Sequence, residues 1–232
     1  MAELPMPYRI AVIGGTGAQG RGLGYRFAKH GYNVVIGSRV AERARATAAE
    51  IAARLHGSDT AGTVTAAANS DACTAADLVL LAVPWEGHDE LVASLPLAGK
   101  IVVSCVNPLA FDVRGAHGLV IDGGEGSAAE RAQSWAPEAT VIGAFHHVSA
   151  VHLWGDDAYL DEDILCVGDS EDSKAVVMEL AKTVTGRAGI SAGKLRLARQ
   201  LEPLTAVLIS INRRYKVHSG LRITGLAPRR GQ

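Results

Sequence analysis

The chain has 232 residues, 48% of them hydrophobic and 5% aromatic, with a formal net charge of −1 at pH 7. That length suits one nucleotide-binding domain plus a smaller unit, and the apolar fraction suffices for a sizeable core. No signal-peptide pattern and no membrane-length apolar run stands out, and three widely spaced cysteines, Cys73, Cys105 and Cys166, fit reduced thiols in a cytoplasm better than a disulfide framework.

The first predicted element is a strand over Arg9–Gly14, which runs straight into Gly15-x-Gly17-x-x-Gly20. A helix over Gln19–His30 and a second strand, Tyr32–Gly37, follow. Strand, glycine turn, helix and strand together form the dinucleotide-binding βαβ fingerprint. One glycine makes the tight turn, one lets backbone approach a pyrophosphate, and one lets helix and strand pack closely. The pyrophosphate then sits at the helix N-terminus, where free N–H groups and the dipole favour negative charge. The next residues select the nucleotide. NAD enzymes usually place a carboxylate at the end of the second strand, on the ribose 2′-hydroxyl. Here the place reads Gly37-Ser38-Arg39, with Arg43 one helical turn on. A hydroxyl and two guanidinium groups suit a 2′-phosphate, so NADP is expected rather than NAD. A solvated arginine pair is the plainer reading.

Further on, the pattern predicts strands at Gly62–Ala66, Leu78–Val83, Lys100–Val106, Leu119–Asp122, Thr140–Ala144 and Ile164–Gly168. Helical patterns fall at Ala41–Leu55, Gly87–Leu95, Ala128–Trp135 and Asp172–Val184. Several strands are continuous apolar runs, as expected of parallel strands buried on both faces. Alternating β and α predicts an α/β fold with a doubly wound parallel Rossmann sheet. From Leu197 the apolar positions Leu197, Leu201, Leu204, Leu208, Ile211 and Tyr215 mark one face of a helix, which packs on the core or on a second subunit. Pro203 should kink that helix or mark its start. The run from Asp156 to Asp172 is acidic and reads as solvated surface. Residues 186–232 hold ten Lys or Arg against one acid, Glu202, so the tail carries +9 and the remainder −10. This split suits an anionic ligand or an acidic neighbouring surface better than nucleic acid, because the tail lacks interleaved aromatics.

Ligands of open α/β sheets bind outside the carboxyl ends of the strands. Three segments should lie there: Val83-Pro84-Trp85-Glu86, Cys105-Val106-Asn107-Pro108-Leu109, and Gly143 to Ala150. Trp85 either walls the nicotinamide or is an ordinary packing tryptophan. Asn107 offers an amide donor and acceptor. His146, His147 and His152 lack metal-ligand spacing, so no metal is expected. Their expected use is to shape or hydrogen-bond a second ring system.

These segments together resemble the NADPH:coenzyme F-420 oxidoreductase family, which pairs NADP with an 8-hydroxy-5-deazaflavin. The carrying residues are Gly14-Gly15-Thr16-Gly17 with Gly20, Gly37-Ser38-Arg39, Pro84-Trp85-Glu86, the segment from His146 to Ala150, and Leu201-Glu202-Pro203-Leu204-Thr205. The resemblance spans Tyr8 to Leu226. It implies a Rossmann domain over residues 1–150 and a small, mostly helical C-terminal domain over 151–232 that closes the deazaflavin cleft. By position, Gly15, Thr16, Gly17, Ala18 and Gln19 would hold the pyrophosphate, and Ser38, Arg39 and Arg43 the 2′-phosphate. Trp85 and Ala150 would line the nicotinamide and His146, Val148 and Ser149 would contact the deazaflavin, while Asn107, with an amide near the ring, and Pro108 are further cofactor-binding candidates from their place at the strand end. The sequence departs from the family where Arg43 replaces Lys, where Val148-Ser149 replaces Ile-Pro, and at Asn107-Pro108. Both cofactors supply their own hydride chemistry, so no catalytic side chain is required. The reacting carbons must approach to about 3–3.5 Å.

The expected partners are small-molecule cofactors only, with no nucleic acid and no membrane, in a homodimer. A reductase of an imine, ketone or 2-keto acid would want a cleft lysine or general acid, yet Lys100 begins its strand, at the wrong end. An NADPH sensor without turnover would not need the His146–Ala150 segment. A ferric reductase partner domain would want a membrane segment to follow.

Overall fold

The structure, a computed structural model, describes residues 8–121 and 126–226. In chain order it contains β1 (Arg9–Ile13), α1 (Ala18–Lys29), β2 (Asn33–Ser38), α2 (Ala41–Arg54), β3 (Val64–Ala68), α3 (Asn69–Thr74), β4 (Leu78–Leu81), α4 (His88–Ser94), β5 (Ile101–Ser104) and the hairpin β6 (Leu109–Asp112) and β7 (Gly115–Gly118). There follow α5 (Ala128–Trp135), β8 (Thr140–Gly143), α6 (Ala150–Leu153), β9 (Leu165–Gly168), α7 (Glu171–Leu180), α8 (Lys182–Thr185), β10 (Ile190–Ser191) and α9 (Ala198–Tyr215). No helix among the described residues is long and apolar enough to cross a membrane.

The main sheet has the order β10-β9-β8-β5-β4-β1-β2-β3. All its pairings are parallel except β8 with β9. The run β3-β2-β1-β4-β5-β8 is the doubly wound Rossmann order, with its reversal at β1 and β4. Alternation along β1 divides the core. Ile10 and Val12 pack into the cluster holding Leu23 and Phe27 of α1, while Ala11 and Ile13 pack into the opposite cluster with Ala128 and Ala132 of α5. The antiparallel β9 has a consequence for function. A strand that reverses on β8 starts at the edge where β8 ends. The chain from Ala144 to Ile164, with α6, therefore stays at the ligand-binding edge. The stretch after residue 150 adds β9 and β10 to the sheet and supplies α7, α8 and α9.

One predicted strand fails. Leu119–Ile121 is irregular, and Asp122 lies outside the described residues. The pairing occurs earlier, in the β6–β7 hairpin, where Asp112 Oδ1 accepts from the N–H groups of Arg114 and Gly115 at 2.7 and 3.1 Å and Gly115 takes φ +125°. That side-chain-capped turn is the stronger local signal, whereas Val120 is 90% exposed and buries nothing. The helix predicted over Asp172–Val184 forms as two, α7 and α8. α9 runs through Pro203, which neither starts it nor ends it.

A buried arginine fastens the mouth of the sheet. Arg26, on α1, is fully buried. Its guanidinium donates to the carbonyls of Leu153 (2.8 Å), His152 (2.8 Å), Asp157 (2.7 Å) and Ala158 (3.1 Å). These lie at and just past the C-terminal end of α6. Replacing Arg26 with Met should strip those carbonyls of their donor, and each unsatisfied buried group costs about 1–3 kcal/mol. We expect Arg26→Met to lower unfolding free energy by at least about 3 kcal/mol, read as a lower urea midpoint at unchanged slope.

Candidate functional site

The β1–α1 turn leaves no room for side chains at three of its glycines. Gly14 has φ +77°, and a Cβ there would stand 2.3 Å from the Ala82 carbonyl oxygen beyond β4. A Cβ on Gly15 would meet Val12 O at 2.8 Å, and one on Gly20 would meet Gly14 O at 2.6 Å. Gly17 differs, since its Cβ would meet nothing nearer than 3.4 Å. Its open face is where a ligand can approach the backbone. Gly17 is also the N-cap of α1, with no side-chain cap and no acid in the first turn. The opening N–H groups of α1, beginning at Ala18, therefore favour an anion beside Thr16 and Gly17. The Gln19 side chain turns elsewhere, with Nε2 donating to the Phe145 carbonyl at 3.3 Å.

At the end of β2, Ser38 is buried and its Oγ accepts from Val40 N–H at 3.1 Å. Arg39 and Arg43 are exposed, and neither forms a hydrogen bond or ion pair among the described residues. The intervening acid, Glu42, is taken by Arg45 at 2.9 Å. Two unpaired cations thus stand at the C-terminal end of β2 with no free carboxylate between them.

The other predicted segments converge on the same edge. Trp85, half-buried after β4, stacks on His88 with ring centroids 5.3 Å apart. His88 is buried, its Nδ1 lies 2.9 Å from Asp89 Oδ1, and Asp89 is held by Arg131 of α5. Burial holds the His88 imidazole below the usual histidine range, against the pull of Asp89. Asn107, after β5 and before buried Pro108, donates from Nδ2 to the His146 carbonyl at 2.9 Å. Phe145 takes φ +62°, an unusual backbone for a bulky residue, and is locked by packing edge-on against Phe27 at 5.9 Å. The His146 ring is 4% exposed, and burial pushes its pKa down to about 3, so it is neutral at every working pH. In this structure the ring is not presented to a ligand; its carbonyl does the joining. Val148 is buried, while Ser149, the N-cap of α6, and Ala150 are half-exposed at the mouth. No group of His, Cys, Asp and Glu among the described residues could hold a metal ion.

α9 buttresses this edge from behind. Thr205 Oγ1 donates to the His146 carbonyl at 3.1 Å, and His147 Nε2 lies 2.7 Å from the Leu201 carbonyl. Glu202, 1% exposed, accepts from the N–H groups of Ala128 and Ala129 at 2.7 and 3.0 Å and so caps α5. Arg199 grips Glu130 with two bonds of 2.8 and 2.7 Å.

The family described as NADP oxidoreductase, coenzyme F-420-dependent, matches residues 9–108. The F-420-dependent NADP reductase of Methanothermobacter thermautotrophicus is 39% identical over 95% of this chain and 97% of its own. That of Methanocaldococcus jannaschii is 36% identical over 94% of this chain and 99% of its own. The chain belongs to the F-420-dependent NADP reductase family. A solved structure from an Arthrobacter species, assigned as an F-420-dependent NADP reductase, superposes with a TM-score of 0.77 at 25% identity, covering 94% of this chain and 99% of that one.

Sequence reasoning overlooked several parts of this reductase-family site. Glu202 registered as the lone acid of a basic tail and within the Leu201–Thr205 resemblance, but not as the cap of α5, though a single acid in a +9 segment is itself a signal of a buried partner. His88 and Asp89 carried no motif. Half of the described cations of the basic tail are spent on acids of the fold: Arg187 and Arg222 pair with Asp161 and Asp163, Lys194 with Glu171, and Arg199 with Glu130. Arg213, Arg214 and Lys216 are exposed and have no acid partner among the described residues, while Arg229 and Arg230 lie outside them.

Burial pushes the Glu202 carboxyl from 4.5 up to about 8, outweighing the two N–H bonds it accepts, and burial beside Asp163 pushes Glu162 up to about 7. Both hold a proton in the fold that the unfolded chain releases near 4.5. The stability they contribute is complete below that pH and is lost as pH rises toward 8. Unfolding free energies measured at pH 5, 6.5 and 8 should therefore fall with pH, and Glu202→Gln should flatten the decline.

Proposed function

We propose that this protein transfers a hydride directly between NADP(H) and the 8-hydroxy-5-deazaflavin F-420. The observation that carries this reading is the full-length match to reductases of that name, which extends past the nucleotide-binding half through the second wall of the cleft and α9. The residues present fit the two ligands. The open face of Gly17 and the uncapped start of α1, with Gly15, Thr16, Ala18 and Gln19, suit a pyrophosphate. Ser38, Arg39 and Arg43 suit a 2′-phosphate. Trp85 and Ala150 flank the nicotinamide, and Asn107, Pro108, His146, Val148 and Ser149 build the deazaflavin side, mostly through backbone and shape. The two ligands supply the hydride donor and acceptor when bound. This chain's share is to hold both rings, exclude water and leave no proton-bearing side chain between them. An imine reductase is disfavoured, since Lys100 is turned away to the Ala76 carbonyl at 2.6 Å, at the opposite edge.

Residues 151–232 form the unit that closes the deazaflavin side, and Arg213, Arg214 and Lys216 are available to an anionic tail. The protein is a cytoplasmic homodimer in this reading. Buried free thiols at Cys73, Cys105 and Cys166 suit a reducing compartment, and the exposed apolar side chains of Phe111, Val113, Val207 and Tyr215 suit a second copy.

Arg39→Asp should weaken NADPH binding by roughly 1.5–3 kcal/mol, the scale of a charge-assisted bond, while NADH binding stays nearly unchanged in a fluorescence titration. Equal use of NADH and NADPH by the natural protein would reject the NADP assignment. Mixing the protein with NADPH and oxidised F-420 should bleach the deazaflavin absorbance. With deuterium at nicotinamide C4, mass spectrometry should find the label on the reduced deazaflavin, and label lost to solvent would reject direct transfer.

A further inference from the structure

We propose that Asn69 is an additional donor to the 2′-phosphate of NADP and helps set the preference for NADP over NAD. This deepens the reading that NADP binds at the C-terminal end of β2, and rests on it.

The sheet register puts Asn69 in place. β2 and β3 run parallel, with Ser38 opposite Ala68. The chain therefore leaves β3 at Asn69 beside the point where it leaves β2 at Arg39. The Asn69 side chain lies back over β2. A Cβ on Gly37 would stand 3.0 Å from Asn69 Oδ1 and 2.8 Å from Ile13 Cδ1. The missing side chain at residue 37 is thus what admits the amide.

The two ends of that amide differ. Oδ1 is buried with no partner, wedged against Gly37. Nδ2 also makes no hydrogen bond among the described residues and, unlike Oδ1, is not fully buried on this half-buried residue. The amide oxygen is thus packed against Gly37, and the carboxamide keeps two uncommitted donors where β2 and β3 end. A 2′-phosphate offers only acceptor oxygens. Ser38 Oγ accepts from Val40 N–H and has one hydrogen left to donate, and Arg39 and Arg43 are exposed, so salt and side-chain entropy weaken each contact they make. A neutral donor held by packing supplies the fixed geometry that two mobile cations lack. The carboxamide also contributes no charge. A carboxylate of the same shape would repel the phosphate.

The test compares dissociation constants of the full chain for NADPH and NADH, and for the probes 2′,5′-ADP and 5′-AMP. Asn69→Asp should weaken NADPH and 2′,5′-ADP between roughly ten- and a hundredfold, the scale of one lost charge-assisted bond. NADH and 5′-AMP should stay within about twofold. Asn69→Ala should give a smaller loss with the same selectivity. Unchanged binding of the 2′-phosphate ligands would overturn the proposal. So would an equal loss for NADH and 5′-AMP, which would place Asn69 on the adenosine instead. Thermal unfolding of each variant guards against a general loss of fold, and if Asn69→Asp is destabilised, Asn69→Ser carries the comparison. A wild-type protein that binds 2′,5′-ADP no better than 5′-AMP would overturn this and the NADP assignment together. A wild type that prefers 2′,5′-ADP with variants that keep the preference would overturn the Asn69 role alone.

Discussion

The architecture of the mouth depends on how closely the β1–α1 turn approaches its neighbours. With a Cβ at Gly14 standing 2.3 Å from Ala82 O, no side chain fits between the ends of β1 and β4. With one at Gly20 standing 2.6 Å from Gly14 O, none fits between α1 and its own turn. These approaches fix where α1 begins and aim its first N–H groups at the crevice where the strand order reverses. α1 then positions the opposite wall. Gly22 lets Leu153 of α6 in, since a Cβ there would lie 2.7 Å from Leu153 Cβ, and Arg26 gathers the carbonyls that follow. A change in the glycine turn would move both the anion site and the wall that faces it.

The second wall is a strained segment held from three sides. Phe145 adopts a left-handed backbone, which costs on the order of 1–3 kcal/mol for a residue other than glycine. Gln19 bonds its carbonyl from α1, Asn107 and Thr205 bond the next carbonyl from β5 and α9, and Phe27 packs on its ring. A loop bound to three elements holds one geometry. Two rings brought to reacting distance need that, because small misplacements cost large factors in rate.

Electrostatics are arranged with similar economy. The chain opposes an acidic body to a basic tail, yet half of the described tail cations meet acids of the fold: Arg187 and Arg222 at Asp161 and Asp163, Lys194 at Glu171, Arg199 at Glu130. Several cations remain without an acid partner among the described residues. Arg39 and Arg43 stand at one end of the mouth, and Arg213, Arg214 and Lys216 at the end of α9, where cations also complement the helix dipole.

The sequence by itself determined the doubly wound sheet and the glycine turn between β1 and α1. Both are written locally: continuous apolar runs specify strands buried on two faces, the spacing of Gly15, Gly17 and Gly20 specifies the turn, and Ser38-Arg39 follows directly on the strand that carries it. It misjudged Leu119–Asp122, because an apolar run signals a strand only when something covers it, and the capped turn at Asp112 held the pairing. It was silent on contacts between residues far apart in the chain. Arg26 carried no signal in the sequence, and its role appears only where the carbonyls at 152–158 fold onto it. Glu202 read as an isolated acid until α9 packed on the start of α5. The His146 ring, expected to shape or bond a second ring system, is buried, and it is the carbonyl that Asn107 and Thr205 reach. Only the tertiary structure decided these, since a buried polar group is defined by its partners, and partners 39 to 132 positions away leave no periodicity to read.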